Sequence, residues 1–198
     1  MTADIATRRS PLDGWTSRLA ELAPAVRLAE RPFVSQLTLR LPDSSRAAAV
    51  STVLGVELPS APCTFAKGTG PHGPVEVCWL GPDEYLVLAQ PGLQRTLESA
   101  LRAAIGDAHG AVVDVSAQRT TLTLSGPNAR DLLAHGCAVD LHPSVSPTGT
   151  CVQTLLAQAG IILLVREAEF VVLVRASFAT YLAAWLLDAG TEYREQPT

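Results

Sequence analysis

The stretch Val112–Pro143, VVDVSAQRTTLTLSGPNARDLLAHGCAVDLHP, reads as strand, strand, turn and helix. Thr121, Thr123 and Ser125 alternate with Leu122 and Leu124, the period-two pattern of a strand with one buried face. Gly126-Pro127 breaks that strand. Proline has a fixed φ and no N–H, so Pro127 suits the first position of a helix capped by Gly126 or Ser125. Ala129, Leu132 and Leu133 form the apolar stripe of this helix, and Gly136 is expected to end it through a left-handed cap.

The rest of the chain repeats this pattern. Leu122 and Leu124 lie 85 residues after Leu37 and Leu39, and Pro127 lies 85 after Pro42. The same offset relates Ile162 and Leu164 to Val77 and Trp79, and Glu169–Leu173 to Glu84–Leu88. It also relates Phe178, Leu182 and Leu186 to Leu93, Leu97 and Leu101. Val56-Glu57-Leu58 and Val139-Asp140-Leu141 match with a two-residue shift. A constant offset across strand, helix, strand pair and helix marks a duplication. The expected fold class is α+β, with two pseudo-repeated β-α-β-β-α lobes. In each, helices cover one face of a mostly antiparallel sheet.

Read in order, residues 1–31 are an N-terminal arm with a short helix over Leu12–Leu22, its stripe being Leu12, Trp15, Leu19 and Leu22. Residues 32–108 are the first lobe. Phe33–Leu41 is a strand, Pro42-Asp43-Ser44 starts a helix that Gly55 stops, and Thr64–Pro74 is a glycine- and proline-rich loop. Val75–Leu80 and Glu84–Ala89 form a strand pair around Gly81-Pro82-Asp83, and Pro91 opens a helix that Gly106 closes. Residues 109–198 are the second lobe with a C-terminal tail.

Hydrophobic residues make up 47% of the 198 and charged residues only 17%, with mean hydropathy +0.22. A chain this apolar either completes its core unusually well or is covered by a partner, and the second reading is preferred. The stripe around Trp15 is expected to pack on its own domain, with docking on another chain as the alternative, so the arm and the loop around His72 are the candidate partner surfaces. The net charge of −4 argues against a nucleic-acid partner. No segment has the form of a signal peptide or a membrane span, so a cytoplasmic location is expected. Cys63, Cys78, Cys137 and Cys151 are dispersed without close pairing and read as reduced, mostly buried thiols.

No constellation completes a catalytic set. Lys67-Gly68-Thr69-Gly70 lacks the order of a phosphate loop, and a flexible connection is the simpler reading. His135, Cys137 and His142, with Cys151 or Asp140 as a fourth ligand, match no zinc spacing and read as helix-end and loop residues. His72 and His109 sit in glycine-flanked loops. Asp114 and Ser116 share a strand face and Arg119 is placed to pair with Asp114, but no nucleophile elbow accompanies them. The catalytic, cofactor-binding and metal-binding assignments for this chain are therefore none.

The opening stretch, together with Leu80-Gly81-Pro82-Asp83-Glu84-Tyr85-Leu86, closely resembles the gamma subunit of heterotetrameric sarcosine oxidase over about residues 32–190. Its D-x-S-x-x-R and S-G-P-x-A-x-x-L elements are similar to those of the wider group of folate-binding aminomethyltransferases. The resemblance implies a noncatalytic structural subunit with an aminomethyltransferase-like fold, bound to alpha, beta and delta subunits. It implies a complex that oxidatively demethylates sarcosine to glycine with oxygen and tetrahydrofolate. FAD, FMN, NAD and zinc are then expected on the partner subunits and none on this chain. The alternatives are a free-standing folate or one-carbon-binding protein and, least favoured, a metallohydrolase using His135 and Cys137.

Overall fold

The computed structural model describes residues 8–194. The elements run α1 (Thr16–Leu19), β1 (Arg27–Arg31), β2 (Ser35–Arg40), α2 (Ala47–Leu54), β3 (Phe65–Gly70), β4 (Gly73–Gly81), β5 (Glu84–Ala89) and α3 (Gln94–Ile105). They continue through β6 (Ala111–Asp114), β7 (Arg119–Ser125), α4 (Ala129–Ala134), β8 (Cys151–Leu156), β9 (Ala159–Val165), β10 (Phe170–Arg175) and α5 (Ala179–Ala189). The strands form two five-stranded sheets, ordered β3-β4-β5-β2-β6 and β1-β7-β10-β9-β8, with every pairing antiparallel. The fold is α+β, as the repeat pattern predicts.

Alternation along the strands explains the layering. Leu37 and Leu39 of β2 and Val75 and Val77 of β4 join Leu97, Leu101 and Ile105 of α3 in one core. Leu122 and Leu124 of β7 and Val172 and Val174 of β10 join Leu182 and Leu186 of α5 in a second. Leu37 and Leu122, Tyr85 and Phe170, and Leu97 and Leu182 thus occupy like environments at the 85-residue offset. The offset fails for β4 and β9, where Val77 lies in the helix-side core and Ile162 faces the other way. Phe178 is exposed where Leu93 packs on the core. The intervening residues face the other way. Cys78, Leu86 and Leu88 of the first sheet meet Cys151, Ile162, Leu164, Val171 and Leu173 of the second. Both sheets are buried on both faces, in a helix–sheet–sheet–helix stack.

The edge strands cross between the repeats. β1, in the arm before the first lobe, pairs with β7 of the second lobe, and β6, which opens the second lobe, pairs with β2 of the first. The N-terminal arm also packs inward. Leu12, Leu19 and Leu22 lie in the second core with Trp15 against it, so the stripe packs on its own domain, as its spacing suggests, and is not a surface left for a partner. Its helix is α1 continued by a 3-10 turn over Ala20–Leu22.

Two other expectations are corrected. Thr64–Pro74 is a β-hairpin around Pro71-His72, not a loop: Lys67 pairs with Glu76 and Gly68 with Val75. The glycines hid β3 because they serve a different contact. A Cβ on Gly68 would lie 2.4 Å from the Gly55 carbonyl oxygen, and one on Gly70 would lie 2.4 Å from that of Val53, so they let β3 approach the end of α2. Gly136 is not a left-handed cap. It lies beside Trp185, where a Cβ would come within 2.6 Å of the indole. Gly55, at φ 68°, does end α2 as the sequence suggests.

Candidate functional site

The strand-end pair Asp114 and Ser116 comes closest to a nucleophile and its partner. Ser116 Oγ donates to Asp114 Oδ1 at 2.5 Å, but the Ser116 N–H donates to the same oxygen at 2.9 Å. The Gln36 N–H donates to Ser116 Oγ at 2.9 Å, and the Gln36 side-chain amide donates to the Arg119 carbonyl at 3.0 Å. These bonds tie the β6–β7 turn to β2, where the edge strand leaves one repeat for the other. Arg119 makes no ion pair with Asp114. Burial and then the nearby Arg175 push its guanidinium below the usual arginine range, with Glu84 opposing. No histidine joins this group, and its hydrogen bonds are used to hold the turn.

The histidine and cysteine candidates separate in space. His142 Nδ1 bonds Ser144 Oγ at 2.7 Å, and the His142 N–H donates to Asp140 Oδ1 at 2.8 Å, which makes a local turn. His135 Nε2 lies 3.5 Å from Glu192, and Cys137 is a half-buried thiol pushed upward by burial. Among the described residues no group of three or more His, Cys, Asp or Glu side chains is placed to hold a metal ion. His72 sits at the β3–β4 turn, and His109 lies in the connection between α3 and β6.

Lys67 reaches a charged cleft of about 990 Å³ between the sheets. Its walls come from the β1–β2 turn, the β3–β4 hairpin, the exit of β5 and the β9–β10 turn. Arg166 is the centre of its charge network, bonding Glu76 of the first sheet at 2.5 Å and Glu169 of the second at 2.5 Å. Lys67 lies 3.5 Å from Glu76, and Arg31 lies 3.1 Å from Glu169. Burial pulls the Arg166 pKa down, but Glu76 and Glu169 more than reverse this and keep the guanidinium charged. Both of its terminal nitrogens are engaged, so the network latches the sheets together. Nothing in the sequence around Arg166 pointed to it, because Glu76 is its partner only after folding.

Lys67–Gly70 is strand, and the helix that a phosphate loop would lead into is absent there. The cleft has no glycine cradle for a nucleotide phosphate, and its cations are matched by carboxylates. The described residues therefore form a scaffold whose cleft cations face carboxylates, with Arg166 Nε and Thr121 Oγ1 buried without a hydrogen-bond partner, and its identity is carried by the arrangement of the whole chain.

The model of the family described as "Sarcosine oxidase, gamma subunit family" matches residues 40–192. The chain belongs to that family. Sarcosine oxidase subunit gamma of Corynebacterium sp. (strain P-1) is 37% identical over 197 residues, covering 96% of this chain and 93% of the relative. Among solved structures, a chain of the heterotetrameric sarcosine oxidase from Corynebacterium sp. U-96, in complex with pyrrole 2-carboxylate, matches with a TM-score of 0.84 at 35% identity. The match covers 96% of this chain and 98% of the other. The aminomethyltransferase T of the glycine cleavage system from Bartonella henselae matches with a TM-score of 0.69 at 16% identity, over 89% of this chain and 50% of that one. That likeness is one of fold, so this gamma-family chain has the architecture of about half an aminomethyltransferase.

Proposed function

We propose that the chain is the noncatalytic gamma subunit of a heterotetrameric sarcosine oxidase, built together with alpha, beta and delta subunits. The complex oxidatively demethylates sarcosine to glycine, reducing oxygen to hydrogen peroxide. The one-carbon unit passes to tetrahydrofolate, or leaves as formaldehyde. FAD, FMN, NAD and zinc belong to the partner subunits, and the assembly works in the cytoplasm. The observation that carries this reading is the end-to-end match to a chain of a sarcosine oxidase, 98% of which is covered. The free-standing folate-binding alternative is not retained, since the aminomethyltransferase likeness extends over only 50% of that enzyme.

Physical features support a structural role. The Asp114–Ser116 group is committed to backbone and turn contacts, and the Arg166 network joins the two sheets. The test is co-expression with candidate alpha, beta and delta chains, followed by size analysis and sarcosine-dependent oxygen uptake. Co-elution in one complex with turnover is expected. Ser116→Ala and His135→Ala, in fully assembled and cofactor-replete complexes, should retain that turnover. A chain that stays separate from every partner, or a large loss of turnover in an assembled His135→Ala complex, would overturn the reading.

A further inference from the structure

Cys78 and Cys151 lie 73 residues apart in sequence, and the fold brings them face to face in the seam between the sheets. The seam is closed at one corner by backbone pairing. Thr64, just before β3, bridges Thr150, just before β8. The Phe65 N–H donates to the Gly149 carbonyl at 3.0 Å, and the Cys151 N–H donates to the Cys63 carbonyl at 2.8 Å. Cys78 is the register partner of Phe65 on β4, so both thiols belong to this corner. Two residues further along each strand, Gln153 Nε2 donates to the Leu80 carbonyl at 3.1 Å, which brings the same faces of β8 and β4 together. The Cys78 and Cys151 side chains belong to one buried cluster at this corner. The neighbouring Cys151 thiol, followed by burial, pushes Cys78 well above the usual thiol range.

We propose that Cys78 and Cys151 form an oxidative cross-link site, which hydrogen peroxide converts to a disulfide joining the two sheets. In the first step one thiol sulfur displaces water from peroxide and becomes a sulfenic acid. In the second, the other sulfur attacks it, the S–S bond forms and a second water leaves. The two thiols lose two electrons and two protons, and the peroxide O–O bond is cleaved to give two waters. Exposures of 0% and 1% admit only a small, neutral oxidant to this pair. They also separate it from Cys63, which is exposed and open to any oxidant. An oxidase complex generates peroxide beside its own subunits, and this source rests on the functional reading above. The cross-link would close the corner covalently where Gln153 and the Thr64–Thr150 bridge already hold it.

The test uses the full chain, alone and in the assembled complex, treated with graded peroxide. Denaturation in excess N-ethylmaleimide and non-reducing tryptic mapping follow. Cys78 falls in the peptide of residues 68–95 and Cys151 in that of 131–166, which also holds Cys137, so the Cys137→Ser background is used. The expected product is the linked pair of these peptides, two hydrogens lighter than their sum. It should form equally in Cys63→Ser and be lost in Cys151→Ser. Free, alkylated Cys78 and Cys151 beside an oxidised Cys63 would overturn the proposal. A link from Cys151 to the Cys63 peptide would do the same. In the complex, sarcosine turnover in air should produce the link and catalase should prevent it. Linkage by added peroxide but not during turnover would overturn the peroxide source while leaving the thiol pairing intact.

Discussion

Gly136 shows how one side chain's absence is set by a neighbour far along the chain. A glycine at a helix end suggests a left-handed cap, yet this one makes room for the Trp185 ring, and its carbonyl accepts from the Ala157 N–H at 2.9 Å. Gly136→Ala is therefore expected to force the indole or the α4 end to move, costing about 1–3 kcal/mol as overpacking. Urea unfolding measures this, and Trp185→Leu in the same chain should recover part of the loss. An unchanged midpoint in Gly136→Ala would mean that the indole shifts freely. Ser116 illustrates the same rule with polar atoms. Its spacing from Asp114 is legible in sequence, but Gln36, which decides what the hydroxyl does, is 80 residues away.

At the scale of elements, β3 is the strand that composition concealed. Phe65-Ala66-Lys67-Gly68-Thr69-Gly70 lacks the β-branched, alternating pattern that announces β4, β5, β9 and β10. Its identity comes from pairing with β4 on one side and from close approach to α2 on the other. Gly70→Ala should be severe, because the added Cβ would meet backbone at Val53 and Leu54 rather than a side chain that can rotate away. The expected loss is about 3 kcal/mol or more, at the upper end for overpacked sites. Gly73→Ala, where a Cβ meets nothing within 4 Å, provides the contrast. Its cost should come only from the positive φ of 101°. Thermal melts of the two variants would check this, and equal midpoints would contradict the packing account.

The whole molecule is held together by three features that cross the repeat boundary. β1 and β6 exchange sheets, the seam core joins both sheets, and Arg166 bonds Glu76 across it. Each half of the chain therefore contains one edge strand that belongs with the other half. Expressed separately, residues 1–108 would carry β1 with no β7 to pair with, and residues 109–198 would carry β6 with no β2. Neither fragment is expected to unfold cooperatively alone, whereas the two mixed should regain near-native circular dichroism and a single transition. A sharp, independent transition in either fragment would show that its lobe is stable without the exchange.

The sequence by itself determined the local and periodic part of this protein. Leu37, Leu39, Leu122 and Leu124 mark two strands, Leu97, Leu101, Leu182 and Leu186 mark two helix faces, and the 85-residue offset marks the duplication. These are legible because burial imposes a period of two on strands and 3.6 on helices. The family resemblance was legible in the same stretch. Only the tertiary structure decided that β1 and β6 trade places, that the arm bearing Trp15 packs on its own core, and that the sheets meet face to face. It alone placed Cys78 against Cys151 and Arg166 against Glu76. The physical reason is that a pattern of alternation states which face of a strand is apolar, but not which other surface will cover it. Strand pairing and sheet packing are settled between residues distant in sequence, where backbone hydrogen bonds and buried area are shared by both partners.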